Sequence, residues 1–250
     1  MKKLLFGIFI SLLSFTAANS EISVGVSGTL GMLDAEGKET ISGSTNAGID
    51  KDADDDDVAR AATATAATSQ SDTEDLVIGY ASIWVEGHLG SNFRAGINYV
   101  PYALESETTE NTRVDNCNHA EGQLNEPVAD QSACATTTNK VAVDLVNLAQ
   151  LYLSYHTDSF FVKAGVMTAD IETNENLATG SQYDDASLEG TFVGAGIERD
   201  FGNEMFIRSE VNFTKFDDIK LTGKGTDNTT TIDITDLGGI NATVSLGKTF

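Results

Sequence analysis

The chain has 250 residues, with 15 Lys and Arg against 38 Asp and Glu, for a formal net charge of −23. So acidic a surface excludes a nucleic-acid partner, because phosphates would be repelled. Beyond its first residues, no stretch is apolar for the eighteen or so positions that a spanning helix needs, so any membrane crossing must use strands.

Met1–Lys3 is basic, Leu4–Phe15 is apolar apart from Gly7, Ser11 and Ser14, and Thr16–Ser20 is small. The run is too short to span a bilayer and has no polar face, so residues 1–20 are predicted to be a cleaved signal peptide. Residues 21–250 then form one domain in an exported protein.

The dominant signal after residue 20 is period two, the signature of strands whose two faces differ. The first stretch sets Ile22, Val24, Val26, Leu30 and Met32 against Ser23, Gly25, Ser27 and Thr29. The second sets Val77, Ala81, Ile83, Val85 and Leu89 against Tyr80, Ser82, Trp84, Glu86 and His88. The third sets Phe93, Ala95, Ile97 and Tyr99 against Arg94, Gly96 and Asn98. The fourth sets Val141, Val143, Leu145, Ala149, Leu151, Leu153 and Tyr155 against Asp144, Gln150, Tyr152, Ser154 and His156.

The fifth has Phe160, Val162, Ala164 and Val166 opposite Lys163 and Gly165. The sixth has Val193, Ala195 and Ile197 opposite Gly194, Gly196 and Glu198. The seventh has Met205, Ile207, Val211 and Phe213 opposite Arg208, Glu210 and Asn212. The eighth has Ile240, Ala242, Val244, Leu246 and Phe250 opposite Asn241, Thr243, Ser245 and Thr249.

Connections alternate in length. Gly90–Asn92, Thr157–Ser159 and Asp200–Asn203 read as tight turns, while long loops cover about residues 33–75, 105–139, 172–187 and 217–233. Three short turns at one end and four long loops at the other fit an outer-membrane barrel. So does an alternating stretch of about ten residues per strand, with aromatics near the ends of its apolar face. The rival is a soluble sandwich or lipocalin-like barrel with its apolar side chains inward. The expected fold is therefore all-β: an eight-stranded, antiparallel, up-and-down transmembrane β-barrel with four long extracellular loops and periplasmic termini.

The leader, the eight alternating strands, the loop pattern and the terminal Val244–Phe250 segment (VSLGKTF) resemble the small bacterial outer-membrane barrels of the OmpA/OmpX and opacity-protein type. The chain is expected to depart from the OmpA type in lacking a peptidoglycan-binding domain after the strands. In that family the last strand, ending on an aromatic residue, is read by the barrel-assembly machinery. The resemblance carries this role to Ile240, Ala242, Val244, Leu246 and Phe250.

If the apolar faces meet lipid, Glu86, Arg94, Asp144, Lys163, Glu198, Arg208 and Glu210 face the lumen. Opposite charges there should pair, because an unpaired buried charge is very costly. Such pairs read as a plug, or as a gate whose partners exchange. Cys117 and Cys134 read as a disulfide in an exported chain, with two free thiols as the alternative. Asp50, Asp52 and Asp54 open like a calcium loop, but Asp55 stands where Gly is required and Ala61 where Glu is required, so they are only weak metal candidates.

No cofactor is expected. A serine hydrolase would need a His beside a Ser and an acid to orient it; the chain has His88, His119 and His156 but no G-x-S-x-G. The expected function is non-enzymatic: a membrane scaffold presenting acidic loops for adhesion, surface interaction or envelope integrity. The alternatives are a small, porin-like, cation-preferring channel and, behind it, a lipid-modifying barrel enzyme. Expected partners are outer-membrane lipids, lipopolysaccharide, the assembly machinery, divalent cations at the acidic loops and no nucleic acid, with a monomer as the expected state.

Overall fold

The computed structural model describes residues 21–41, 45–46, 49–51, 57–59, 63–64, 68–105, 109–114, 136–176, 183–223 and 230–250. Eight long strands run through them: β1 (Ile22–Ile41), β2 (Thr68–Leu89), β3 (Phe93–Tyr99), β4 (Thr136–His156), β5 (Phe160–Asn176), β6 (Ala186–Gly202), β7 (Met205–Phe216) and β8 (Thr230–Thr249). Each pairs antiparallel with its sequence neighbour. β1 also pairs with β8, from Ser23↔Thr249 to Ile41↔Thr230, so the sheet closes into a ring. Closure satisfies the edge backbone groups, as a membrane interior demands. At the seam Ile22 and Phe250 exchange backbone hydrogen bonds of 3.2 and 2.8 Å, which orders both ends of the barrel domain.

Burial follows the predicted alternation. On β7 every even residue from Phe206 to Phe216 is buried and every odd one from Ile207 to Lys215 is exposed. The exposed set is mainly apolar around the ring: Leu30 is 63% exposed, Val77 64%, Phe213 59% and Ile240 43%. An apolar belt this continuous would be untenable in water and is the surface of a protein that sits in a bilayer. Phe93, Tyr155, Phe160, Phe201 and Phe250 stand outward at the tight-turn end, and Tyr99 and Phe213 lie further along.

The tight turns have local causes. Asn203 and Glu204 both take positive φ (56° and 63°) between the paired Gly202 and Met205, the conformation of a two-residue type I′ hairpin. β6 therefore runs on through Gly202, and the turn is narrower than the predicted Asp200–Asn203. Gly90, at φ 82°, opens the β2–β3 turn.

At the other end the strands outrun the apolar belt, and the predicted loops shorten. β1 continues to Ile41 and β2 begins at Thr68. Thr109–Val114 pairs with the start of β4, β5 reaches Asn176, and Ile219–Thr222 pairs with β8. Backbone pairing does not need apolar side chains, so the period-two pattern ends before the ladder does. Two short hairpins lie within the β1–β2 connection: Thr45–Asn46 with Thr63–Ala64, and Ile49–Lys51 with Asp57–Ala59.

Candidate functional site

The interior of an eight-stranded barrel is just wide enough for its own side chains, and strand position divides it. The β1–β8 wall carries short hydroxyl residues that bond across the seam: Ser23–Thr249 at 2.9 Å, Ser27–Ser245 at 2.8 Å and Thr29–Thr243 at 2.9 Å. The other strands, including β2 and β7 on either side of this wall, carry the long charged side chains, which extend into the room that it leaves.

Six of the predicted lumen charges come together there. Glu86 accepts hydrogen bonds from Arg208 Nη1 (3.0 Å) and Nη2 (2.8 Å), from Arg94 Nη1 (3.3 Å) and from the Tyr152 hydroxyl (3.0 Å). Glu198 accepts from Arg208 Nε at 2.5 Å and from both Arg94 Nη atoms at 3.1 Å. Beside this four-residue network, Glu210 accepts from Lys163 Nζ at 2.5 Å and from Asn212 Nδ2 at 3.2 Å. Three carboxylates meet three cations, so the cluster is charge-balanced. The bidentate arginine contacts give it fixed geometry.

Aromatic rings hold the cations in place. The Arg208 guanidinium lies 4.7 Å from the Phe206 ring centre, 4.9 Å from that of Trp84 and 5.5 Å from that of Phe161. Lys163 Nζ sits 5.0 Å from the Tyr152 ring centre and 5.4 Å from that of Phe192. Tyr152 thus joins the two charge groups, donating to Glu86 while its ring faces Lys163. Two glycines make this possible: a Cβ on Gly96 would collide with the Tyr152 ring, and one on Gly25 with that of Trp84.

Asp144 is the exception, and its placement corrects the expected lumen position. Between the pairs Val146↔Asp170 and Ala149↔Thr168, β4 spends one residue more than β5. The extra residue is accommodated at Asn147, whose φ is 57° and whose Nδ2 donates to Asp170 at 2.9 Å. Such a bulge reverses every later side chain. Leu145 now aligns with the buried Ile171 and faces inward, and Asp144 aligns with the exposed Glu172 on the outer face.

Above the charges, the inward residues become apolar. Leu33, Val100, Leu148, Tyr152, Met167, Ala169, Ile171, Leu188, Phe192 and Phe216 form one buried cluster, with Leu145 packed against it. The lumen therefore carries two successive layers, a balanced ionic one toward the tight turns and an apolar one toward the long connections.

Two serine–histidine contacts escaped the sequence reading. His88 Nε2 lies 2.9 Å from Ser23 Oγ, and its Nδ1 lies 3.3 Å from Glu21. His156 Nε2 lies 3.0 Å from Ser154 Oγ, with Nδ1 3.7 Å from Glu198. The second pair was legible, since residues 154 and 156 share a face; the first joins strands far apart in sequence. Ser23 has no exposed surface and also bonds Thr249, and Ser154 is 2% exposed. A nucleophile must reach its substrate, and both hydroxyls are buried in the folded barrel.

Among the described residues no group of three or more His, Cys, Asp or Glu could hold a metal. Asp50 lies on the short strand Ile49–Lys51, paired with Val58. Asp52, Asp54, Cys117, Cys134 and the signal segment 1–20 lie outside the described residues. At the chain end Ile240, Ala242, Val244, Leu246 and Phe250 all face outward; Phe250 is 68% exposed, with Lys248 Nζ 4.9 Å from its ring centre.

No family model matches the chain, and no curated protein sequence matches it. Solved structures resemble it weakly. Outer membrane protein AlkL, studied in lipid bilayers, is 14% identical at a TM-score of 0.37, over 88% of this chain and 90% of that one. Ail, the attachment invasion locus protein of Yersinia pestis, is 7% identical at 0.32, over 86% and 98%. The outer membrane protease OmpT from Escherichia coli is 11% identical at 0.35, over 92% and 97%. Likenesses at these scores carry no argument, and the barrel rests on its own closed ladder and apolar belt.

Proposed function

We propose that this is a closed, non-conducting β-barrel of a Gram-negative outer membrane, without enzymatic activity, which holds an acidic surface outside the cell. The tight turns and both ends of the barrel domain face the periplasm, and the long connections face outward, where they serve adhesion, surface interaction or envelope integrity. The observation that supports this reading is the doubly sealed lumen. Its ionic layer has no surplus charge to draw ions in, and its apolar layer offers them no ligand. The burial of Ser23 and Ser154 favours a structural role for both serine–histidine contacts. Lipid and lipopolysaccharide surround the belt, and the outward row ending at Phe250 serves as the assembly signal.

Planar-bilayer recording tests the reading. Protein that shows the gel-mobility difference of a folded barrel before and after boiling should leave the bilayer silent. Discrete conductance steps from that material would establish the channel instead, and a preference for cations would follow from the acidic mouth.

A further inference from the structure

The outer face of the barrel is not evenly filled. A groove of about 560 Å³ crosses the strands from Phe93 and Tyr155 to Val211 and Phe213. That volume lies within the range of about 300–1,000 Å³ usual for ligand clefts. Two small outward residues, Ala164 on β5 and Ala195 on β6, form its floor. Ala164 aligns with Leu153 and Val193, and Ala195 aligns with Val162 and Val211, so each alanine lies between longer side chains on both adjacent strands. The rings of Phe93 and Tyr155 meet edge to face at 5.1 Å and wall the groove at its tight-turn end.

The second observation lies on the same outward row of β6. Val193, Ala195 and Ile197 alternate outward, and Arg199 continues the row toward the tight turn, aligned with the outward Ile207. Arg94 and Arg208 each bond two carboxylates. Arg199 is exposed; its Nη1 donates to Ser159 Oγ at 3.4 Å, and among the described residues it has no carboxylate partner. Four positions separate Arg199 from Ala195, about 13 Å along the strand and about 9 Å of depth at a tilt near 45°. Asp158 and Asp200, each next in sequence to Ser159 or Arg199, are also exposed.

Bilayer and charge together select the occupant. The groove lies in the belt that faces lipid, so acyl chains surround it. A guanidinium without a counter-charge at its interfacial end matches the phosphate oxygens of a headgroup, which it can bond bidentately. The interfacial layer of a bilayer is about 5–8 Å deep on each side, so a phosphate held at Arg199 brings its acyl carbons to the level of Ala195. The neighbouring Asp158 and Asp200 leave no net positive charge, which suits a zwitterionic headgroup whose ammonium meets these acids. We propose that the groove binds one zwitterionic phospholipid, with an acyl chain over Ala164 and Ala195 and its phosphate on Arg199. This rests on the reading that the tight turns face the periplasm, where the outer-membrane leaflet is phospholipid.

Native mass spectrometry of the full folded protein in detergent, titrated with dioleoyl phosphatidylethanolamine, tests the site. One lipid per barrel should be retained. Dioleoylglycerol, which lacks the headgroup, should bind about tenfold more weakly, and so should the phospholipid to Arg199→Gln, the size expected for losing hydrogen bonds to a charged group. Ala195→Leu, which raises the floor, should weaken retention about fourfold, as for one lost methylene contact. Lys220→Gln, an exposed cation at the other end, should change nothing. Equal binding of the two lipids, full binding by Arg199→Gln, or an equal loss in Lys220→Gln would overturn the proposal. So would a lipid-free dimer, which would give the groove to a second copy, or a folded barrel that retains no lipid. If Ala195→Leu loses its folded mobility, the two lipids on the unaltered protein decide. Retention in detergent does not depend on which way the barrel faces, so failure here overturns the site and leaves the orientation and the closed lumen untouched.

Discussion

The two halves of the lumen are built on the same parity rule with opposite chemistry. Toward the tight turns the inward positions carry Glu86, Arg94, Glu198, Arg208, Lys163 and Glu210; toward the long connections they carry Leu33, Leu148, Met167, Ile171, Leu188 and Phe216. The charged half depends on partners, because each ion is tolerable there only while its counter-ion is present. The apolar half depends on shape, because its atoms contribute by filling space. The first should be brittle to single changes of charge, and the second should yield in proportion to the volume removed.

The sharpest way to break the charged half is Arg208→Ala. It strips Glu86 of two of its four hydrogen bonds and Glu198 of its shortest one. The expected loss is roughly 3–5 kcal/mol, as for removing one member of a buried pair. Urea titration of the detergent-folded barrel, followed by gel mobility, measures it. Adding Glu86→Ala to the variant restores charge balance and should recover part of the loss. Full additivity of the two changes would show that they do not share a network. On the proposed closed-barrel reading the double variant should also leave the bilayer silent, since the apolar layer is unaltered.

In the apolar half, Phe192→Ala should cost about 3 kcal/mol, the range of large-to-small aromatic truncation. Phe192→Leu should cost well under half of that, because volume rather than polarity is at stake. A Leu variant as unstable as the Ala variant would point instead to the ring's place 5.4 Å from Lys163.

Most of this architecture was legible in the sequence, for a definite reason. Period two survives as long as one face meets lipid, so all eight strands, the three tight turns and the six gathered charges could be read from parity alone. What parity could not show were events that break it or lie across the ring. Asn147 carries no local mark of a bulge, yet its positive φ moves Leu145 inward and Asp144 outward. The union of Arg208 with Glu86 spans 122 positions in sequence. Strand length is hard to read there because much of the ladder beyond the belt is Thr, Ser, Glu and Asp, with apolar alternation only in short pieces such as Ile219 and Leu221 opposite Ile234 and Ile232.

The bulge supplies the finest test of the comparison, since it separates two carboxylates that the sequence groups together. Glu210 is buried and lies 2.5 Å from Lys163, so Glu210→Gln leaves an ammonium without its counter-charge and should destabilise by roughly 1–3 kcal/mol. Lys163→Met in the same background should recover part of it, because an apolar chain of similar length needs no partner. Asp144 lies beyond Asn147 on the outer face and is half-buried, so Asp144→Asn should cost less than Glu210→Gln. Parallel urea titrations of the two single variants suffice. Equal losses would mean that Asp144 shares the lumen after all and that the register does not reverse at Asn147. Unequal losses, with Glu210→Gln the greater, would place the reversal in the folded protein, where the bulge at Asn147 turns Asp144 outward and Leu145 inward.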